Sequence, residues 1–167
     1  MPAPKRDRPD LPKGYISRAP RGMLSWAEAE RALSTGRYVW LATTDPDGRP
    51  HLVQQWCVWL DRTLYFEGSD RTRWARNLAR EPRLAFGIQN ADHAIFGEAL
   101  VDVLRPVEPP LAARIAKEYG AKYGRAFDYR PTAEQYAKGY VFRARPSKVI
   151  AFDVKRFTTS AARFTFS

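Results

Sequence analysis

Residues 38–67 read YVWLATTDPDGRPHLVQQWCVWLDRTLYFE, and the alternation of strand formers with turn formers in them decides the fold. Tyr38 to Thr44 is rich in β-branched and aromatic residues, which suit a pleated, half-buried surface. Asp45-Pro46-Asp47-Gly48 follows as a turn, with proline pre-setting φ and glycine accepting a positive one. His51 to Leu60 returns as a second strand, Asp61-Arg62 turns the chain again, and Thr63 to Glu67 is a third strand. Three strands joined by tight turns predict an antiparallel meander rather than strands joined by crossover helices.

Upstream, Ser25-Trp26-Ala27-Glu28 forms a capping box that opens a helix through Leu33, stopped near Gly36. Downstream, Asp70 to Arg80 is a run of helix formers closed by Pro82. Arg83 to Gln89 is a fourth strand, and Ala94 to Leu104 a long fifth with a candidate bulge at Gly97. Pro109-Pro110 introduces a helix over Leu111 to Tyr123, with Leu111, Ile115 and Tyr119 as its apolar stripe. Thr132 begins another capping box, and Tyr140 to Arg145 and Lys148 to Val154 are closing strands broken at Pro146. Helices are too few and too irregularly spaced for a doubly wound parallel sheet. Nothing repeats, so residues 1–22 are expected to be a flexible basic arm and 23–167 a single domain.

The chain of 167 residues carries a net charge of +10. That excess either serves an anionic partner or reflects an arginine-rich composition, since the arginines are spread along the sequence. No apolar run reaches the roughly 18 residues needed to cross a bilayer, and the Pro- and Arg-rich start lacks the apolar segment of a secretory signal. The lone Cys57 excludes an internal disulfide framework and suits a reducing compartment, so a cytoplasmic location is expected.

The chemistry is concentrated between Gly48 and Arg83. A helix start offers unpaired N–H groups and partial positive charge, which suits a phosphate. Arg73 adds a planar fork, Thr72 a hydroxyl, Gly68 room for close approach, and Arg49 a second cation just past the first turn. The alternative is that Arg73, Arg76 and Arg80 only solvate a helix face. Gln54 and Gln55 can hydrogen-bond a ring, and strand alternation predicts that only one of them faces a groove. Of Trp56 and Trp59, one is expected in the core and the other over a ligand or at an interface. His51, His93 and Cys57 are too few and too scattered for a metal centre, so none is expected, and Cys57 reads as a small buried hydrophobe. No Ser-His-Asp pattern, Walker loop or paired-carboxylate motif is present.

Taken in order, Asp47-Gly48-Arg49-Pro50-His51-Leu52-Val53, Leu64-Tyr65-Phe66, Thr72-Arg73-Trp74-Ala75-Arg76-Asn77-Leu78 and Pro82-Arg83 resemble the core of the pyridoxamine 5'-phosphate oxidase-like family. That superfamily also includes flavin and deazaflavin oxidoreductases. Gly97-Glu98-Ala99, Phe142 to Val149 and Ala162 to Phe166 extend the resemblance, which covers Leu24 to Phe166. It implies a mainly β fold with a few helices, a six-stranded antiparallel split β-barrel of Greek-key type. It also implies a homodimer with the cofactor in grooves between subunits. Carried onto matching positions, Arg49 and Arg73 would hold the cofactor phosphate, with Thr72 adding a hydroxyl. His51, Leu52, Val53 and Gln54 would run beside the ring, and Glu67 and Gly68 near the ribityl chain. The family commonly has lysine directly after the arginine; Trp74 stands there instead, removing one charge and offering an aromatic surface.

The resemblance implies an oxidoreductase in which the cofactor carries hydride chemistry and the protein orients it. FMN is the first expectation, the deazaflavin F-420 the second, with its longer anionic tail meeting Arg76 and Arg80, and haem ranks last. A small-molecule substrate would complete the site. The alternative is a non-catalytic flavin or haem carrier of the same fold. Nucleic acid is disfavoured because the aromatics fall mostly in apolar strand patterns rather than between cations.

Overall fold

A computed structural model describes residues 3–89 and 92–166, so Met1 and Ser167, the outer limits of the expected arm and domain, lie outside it. The strands are β1 (Lys5–Asp7), β2 (Tyr38–Thr44), β3 (Pro50–Trp56), β4 (Val58–Leu60), β5 (Thr63–Glu67), β6 (Arg83–Gln89), β7 (His93–Leu104), β8 (Val141–Asp153) and β9 (Ala162–Thr165). The helices are α1 (Trp26–Thr35), α2 (Arg73–Arg80), α3 (Pro109–Phe127), α4 (Ala133–Lys138) and the single turn α5 (Phe157–Ser160).

All nine strands join one antiparallel sheet in the order β1-β9-β8-β7-β6-β2-β3, with β5 beside β9 on the edge of β8 that faces away from β7, and β4 on β5. The sheet is open. The chain nevertheless runs from β3 at one end of this path, through β4, to β5 at the far side of β8, so the sheet curls until β3 and β5 lie side by side. No ladder joins those two strands. That seam is the split of a split barrel.

Nine strands stand where the resemblance implied six, and three changes turn the seven segments read from the sequence into nine. The second strand breaks at Cys57, where the Tyr123 hydroxyl accepts from the Cys57 N–H at 2.8 Å and takes it out of the ladder. The two closing strands fuse into β8, because Pro146 sits opposite Ala99 at a bulge that leaves Ser147 as the extra residue. The chain ends add β1 and β9. Gly97 is not the bulge; a Cβ there would lie 2.4 Å from the Lys148 carbonyl, so glycine permits the close β7–β8 approach.

The arm expected to be flexible is held in place over much of its length. Lys5–Asp7 pairs with β9, Asp7 receives Arg163 Nε at 2.7 Å, and Arg8 donates to the carbonyls of Thr159 and Ala161 at 2.9 Å each.

The capping boxes act as read: Ser25 and Glu28 form the reciprocal cap of α1, and Thr132 caps α4 through the Gln135 N–H. Thr72, expected as a ligand hydroxyl, caps α2 through the Ala75 N–H, so that helix starts at Arg73 rather than Asp70. Pro46 and Gly48 (φ +82°) close the β2–β3 turn, and Asp61 and Arg62, both at positive φ, close β4–β5.

Two cores share β5. Leu64 and Phe66 point into the barrel with Val39, Leu41, Phe86 and Phe164, while Tyr65 points outward to α3 and α4, where Ile115, Tyr119, Tyr123 and Tyr136 are buried. The period of two along a strand makes that division. Among the described residues no helix is long and apolar enough to cross a membrane.

Candidate functional site

The start of α2 meets the β2–β3 turn in a tightly bonded corner. Arg73 Nε donates to Asp45 Oδ1 at 3.0 Å, and its Nη2 pairs with Asp45 Oδ2. One turn on, Asn77 Nδ2 donates to the same Oδ1 at 2.9 Å and to Thr43 Oγ1 at 3.1 Å. The Arg73 guanidinium and then the Asn77 amide hold the Asp45 carboxyl well below the usual carboxylate range. A guanidinium has five N–H donors, and two of them go to Asp45, so three remain. The Arg73 side chain is still 53% exposed, fixed in place with free donors toward solvent. Arg49 sits across the same turn, paired with Asp47 at 3.0 Å and largely exposed.

The other arginines of α2 are occupied locally. Arg76 donates to the Arg71 carbonyl and Arg80 to the Thr44 carbonyl at 2.6 Å. The Thr72 hydroxyl donates to the Ser69 carbonyl at 2.9 Å while accepting from Ala75.

At the other end of β3 the seam opens into a cavity of about 370 Å³ lined by Tyr38, Gln54, Gln55, Trp56 and Glu67. Both glutamines reach it, against the expectation of one, because β3 is an edge strand and its cavity lies beside the edge rather than over one face. Trp56 stacks on Tyr123 with centroids 4.3 Å apart and planes 6° apart, packs against Phe127 and Tyr129 at 4.8 and 5.5 Å, and lines the cavity. Trp59 is the core member of the pair, 7% exposed, its indole N–H donating to Glu30 at 3.3 Å.

Glu67 ends β5 and is gripped from the α3–α4 connection. Tyr129 donates its hydroxyl proton to Glu67 Oε1 at 2.9 Å and accepts from Gln135 Nε2 at 2.7 Å; the Tyr136 hydroxyl lies 3.3 Å away. A phenol has one proton and two lone pairs, so Tyr129, donating to Glu67 and accepting from Gln135, has one lone pair left beside the Tyr136 hydroxyl. Burial, with the Glu67 carboxylate adding to it, pushes the Tyr129 hydroxyl up, so it remains a donor.

Between these ends, His51 and Val53 are half-buried and Leu52 is 61% exposed on the outer face of the sheet. Trp74 departs from its expected role. It is 3% exposed and packs edge-on against Phe66 and Phe142 at 5.6 and 4.6 Å, so it offers no aromatic surface to a ligand. The helical position after Arg73 points into the barrel, where an indole fills space that a lysine cannot without burying its charge. Gly68 answers to the same ring: a Cβ there would come within 2.6 Å of Trp74.

Asp45, Asn77 and Tyr129 were not singled out from sequence. Asn77 lies four residues after Arg73, a spacing that places both on one helix face and signals their shared partner. Tyr129 carries no such signal. Among the described residues no three His, Cys, Asp or Glu side chains gather as a metal site. Cys57 is fully buried, and burial pushes its thiol up to about 11.

Residues 25–161 match the family model of pyridoxamine 5'-phosphate oxidase. Solved structures of similar fold include a conserved hypothetical protein of Mycobacterium tuberculosis (23% identity, 86% of this chain and 90% of that one, TM-score 0.68). An F-420 reductase (22% identity, 83% and 98%, TM-score 0.57) is another, as is the haem storage protein HutZ of Vibrio cholerae (20% identity, 74% and 91%, TM-score 0.57). No curated protein matches.

Proposed function

The chain belongs to the pyridoxamine 5'-phosphate oxidase family, and on that premise we propose that it is an oxidoreductase holding a flavin-type cofactor along β3, with FMN the first choice and F-420 the second. The single observation that carries this reading is the Asp45–Arg73 pair at the start of α2. A carboxylate fixes the arginine in place, and three N–H donors are left for an anion. A strand rises about 3.3 Å per residue, so Pro50, next to Arg49, and Gln54 are about 13 Å apart along β3, a span suited to a ligand with phosphate at one end and a ring at the other.

The residues fit such a group. Arg73 and Arg49 bind the phosphate, and the first N–H groups of α2 add partial positive charge. Gln54 and Gln55 orient the ring through their side-chain amides, and Trp56 bounds it. When bound, the cofactor supplies hydride transfer.

A second copy of the chain completes the groove. Trp40, Leu52, Phe96 and Leu100 are 44–61% exposed on the outer face of the sheet, an apolar surface that association would cover. Titration of the purified protein with FMN, F-420 and haem in turn, followed by absorbance, tests the reading. Saturable binding of FMN or F-420 with a perturbed ring spectrum is expected, and binding of haem alone would replace it with a carrier role.

A further inference from the structure

The chain has ten positive charges in excess, yet the cavity at the seam is lined by one charged side chain, and it is a carboxylate. Glu67 is half-buried there. Its bonded partner is the neutral Tyr129 hydroxyl, and among the described residues it belongs to no ion pair. By contrast Asp7, Asp45, Asp61, Glu98 and Asp102 each meet an arginine or lysine. A carboxylate held by a neutral hydroxyl has no cation beside it to offset its charge. Tyr38 and Trp56 bring aromatic rings to the same cavity, and aromatic faces attract cations.

We infer that this end of the groove selects a planar substrate ring bearing positive charge or N–H donors and turns away an anionic ring of the same size. Glu67 is the residue that sets the preference, and Tyr129 is a positioning residue that keeps its carboxylate aimed at the cavity. The inference rests on the cofactor reading and names the substrate class of that same site. It also runs against the charge of the whole molecule: non-specific attraction to a chain of net +10 favours the anion.

Methylene blue, a tricyclic cation, and resorufin, a tricyclic anion, are matched probes. Their affinities are measured on the full chain with and without FMN at low salt, for the wild type, Glu67→Gln and Tyr129→Phe. The expected result with FMN present is methylene blue binding about tenfold more tightly than resorufin, a preference of about 1.4 kcal/mol. Glu67→Gln should abolish that preference, and Tyr129→Phe should reduce it by a smaller factor. If Glu67→Gln does not fold, Tyr129→Phe alone decides. Equal binding of the two dyes, tighter resorufin binding, or a preference unchanged in the variants overturns the inference. A preference seen without FMN that vanishes when FMN is added overturns it too, because the carboxylate would then read the cofactor's own ring. Failure of FMN to bind at all sinks the cofactor reading instead, and the FMN titration registers that separately.

Discussion

At the arginine end of the groove, Asp45 ties down a cation and leaves it donors to spare; at the tyrosine end, Tyr129 ties down a carboxylate with a neutral group and no cation. The partners come from different depths of the fold. Asp45, Arg73 and Asn77 lie on adjacent elements packed on the barrel core, whereas Tyr129 reaches Glu67 from the connection between two helices laid over the outside of β4 and β5. The contrast teaches that the barrel core positions a cation through a carboxylate, while the helical cover positions a carboxylate through a neutral hydroxyl. A cation therefore stands near one end of β3 and a carboxylate near the other.

The sharpest way to break this comparison is at the barrel core beneath the arginine end. Trp74→Ala removes a nearly fully buried indole and should cost about 3–5 kcal/mol in denaturant unfolding. A loss under 1 kcal/mol would return Trp74 to the list of ligand-facing residues. On the helical cover, Tyr123→Phe leaves the buried Cys57 N–H without its acceptor and should cost about 1–3 kcal/mol in the same measurement.

Arg73→Ala should weaken FMN binding roughly ten- to hundredfold in a fluorescence titration, as for other lost charge-assisted bonds, with the fold retained. Tyr129→Phe should leave FMN affinity unchanged, which separates the two ends; equal losses in both variants would merge them into one site.

The smallest effect is in acid. The native Asp45 carboxyl sits below its ordinary value of 3.8, so the unfolded chain binds the proton more readily. The stabilisation from its pairing is therefore complete above that value and fades as pH falls through and below it. Asp45→Asn should flatten the acid-unfolding curve in that window, and an unchanged curve would remove Asp45 as a structural anion.

Most of the fold could be read from the chain because its signals are local. Capping oxygens two or three residues from the N–H they accept, prolines and glycines that set φ in the turns, and the period of two along β2 and β5 each act within a few residues. The candidate site was legible at Arg49, Thr72 and Arg73 as residue types suited to an anion, and at Gln54 as one suited to a ring. Their occupancy was not. Arg73 finds Asp45 across 28 positions, and Tyr129 finds Glu67 across 62.

What the sequence by itself determined is the strands β2, β5, β6 and β7, the antiparallel order that short turns impose, and an arginine at a helix start following a strand. Only the tertiary structure decided that Trp74 is core, that the N-terminal stretch pairs with β9, that Pro146 bends one strand instead of ending it, and that β3 and β5 meet without a ladder. The reason is range. Backbone conformation answers to near neighbours, but which side chain faces which is settled when a nine-stranded sheet curls and brings distant residues to one seam.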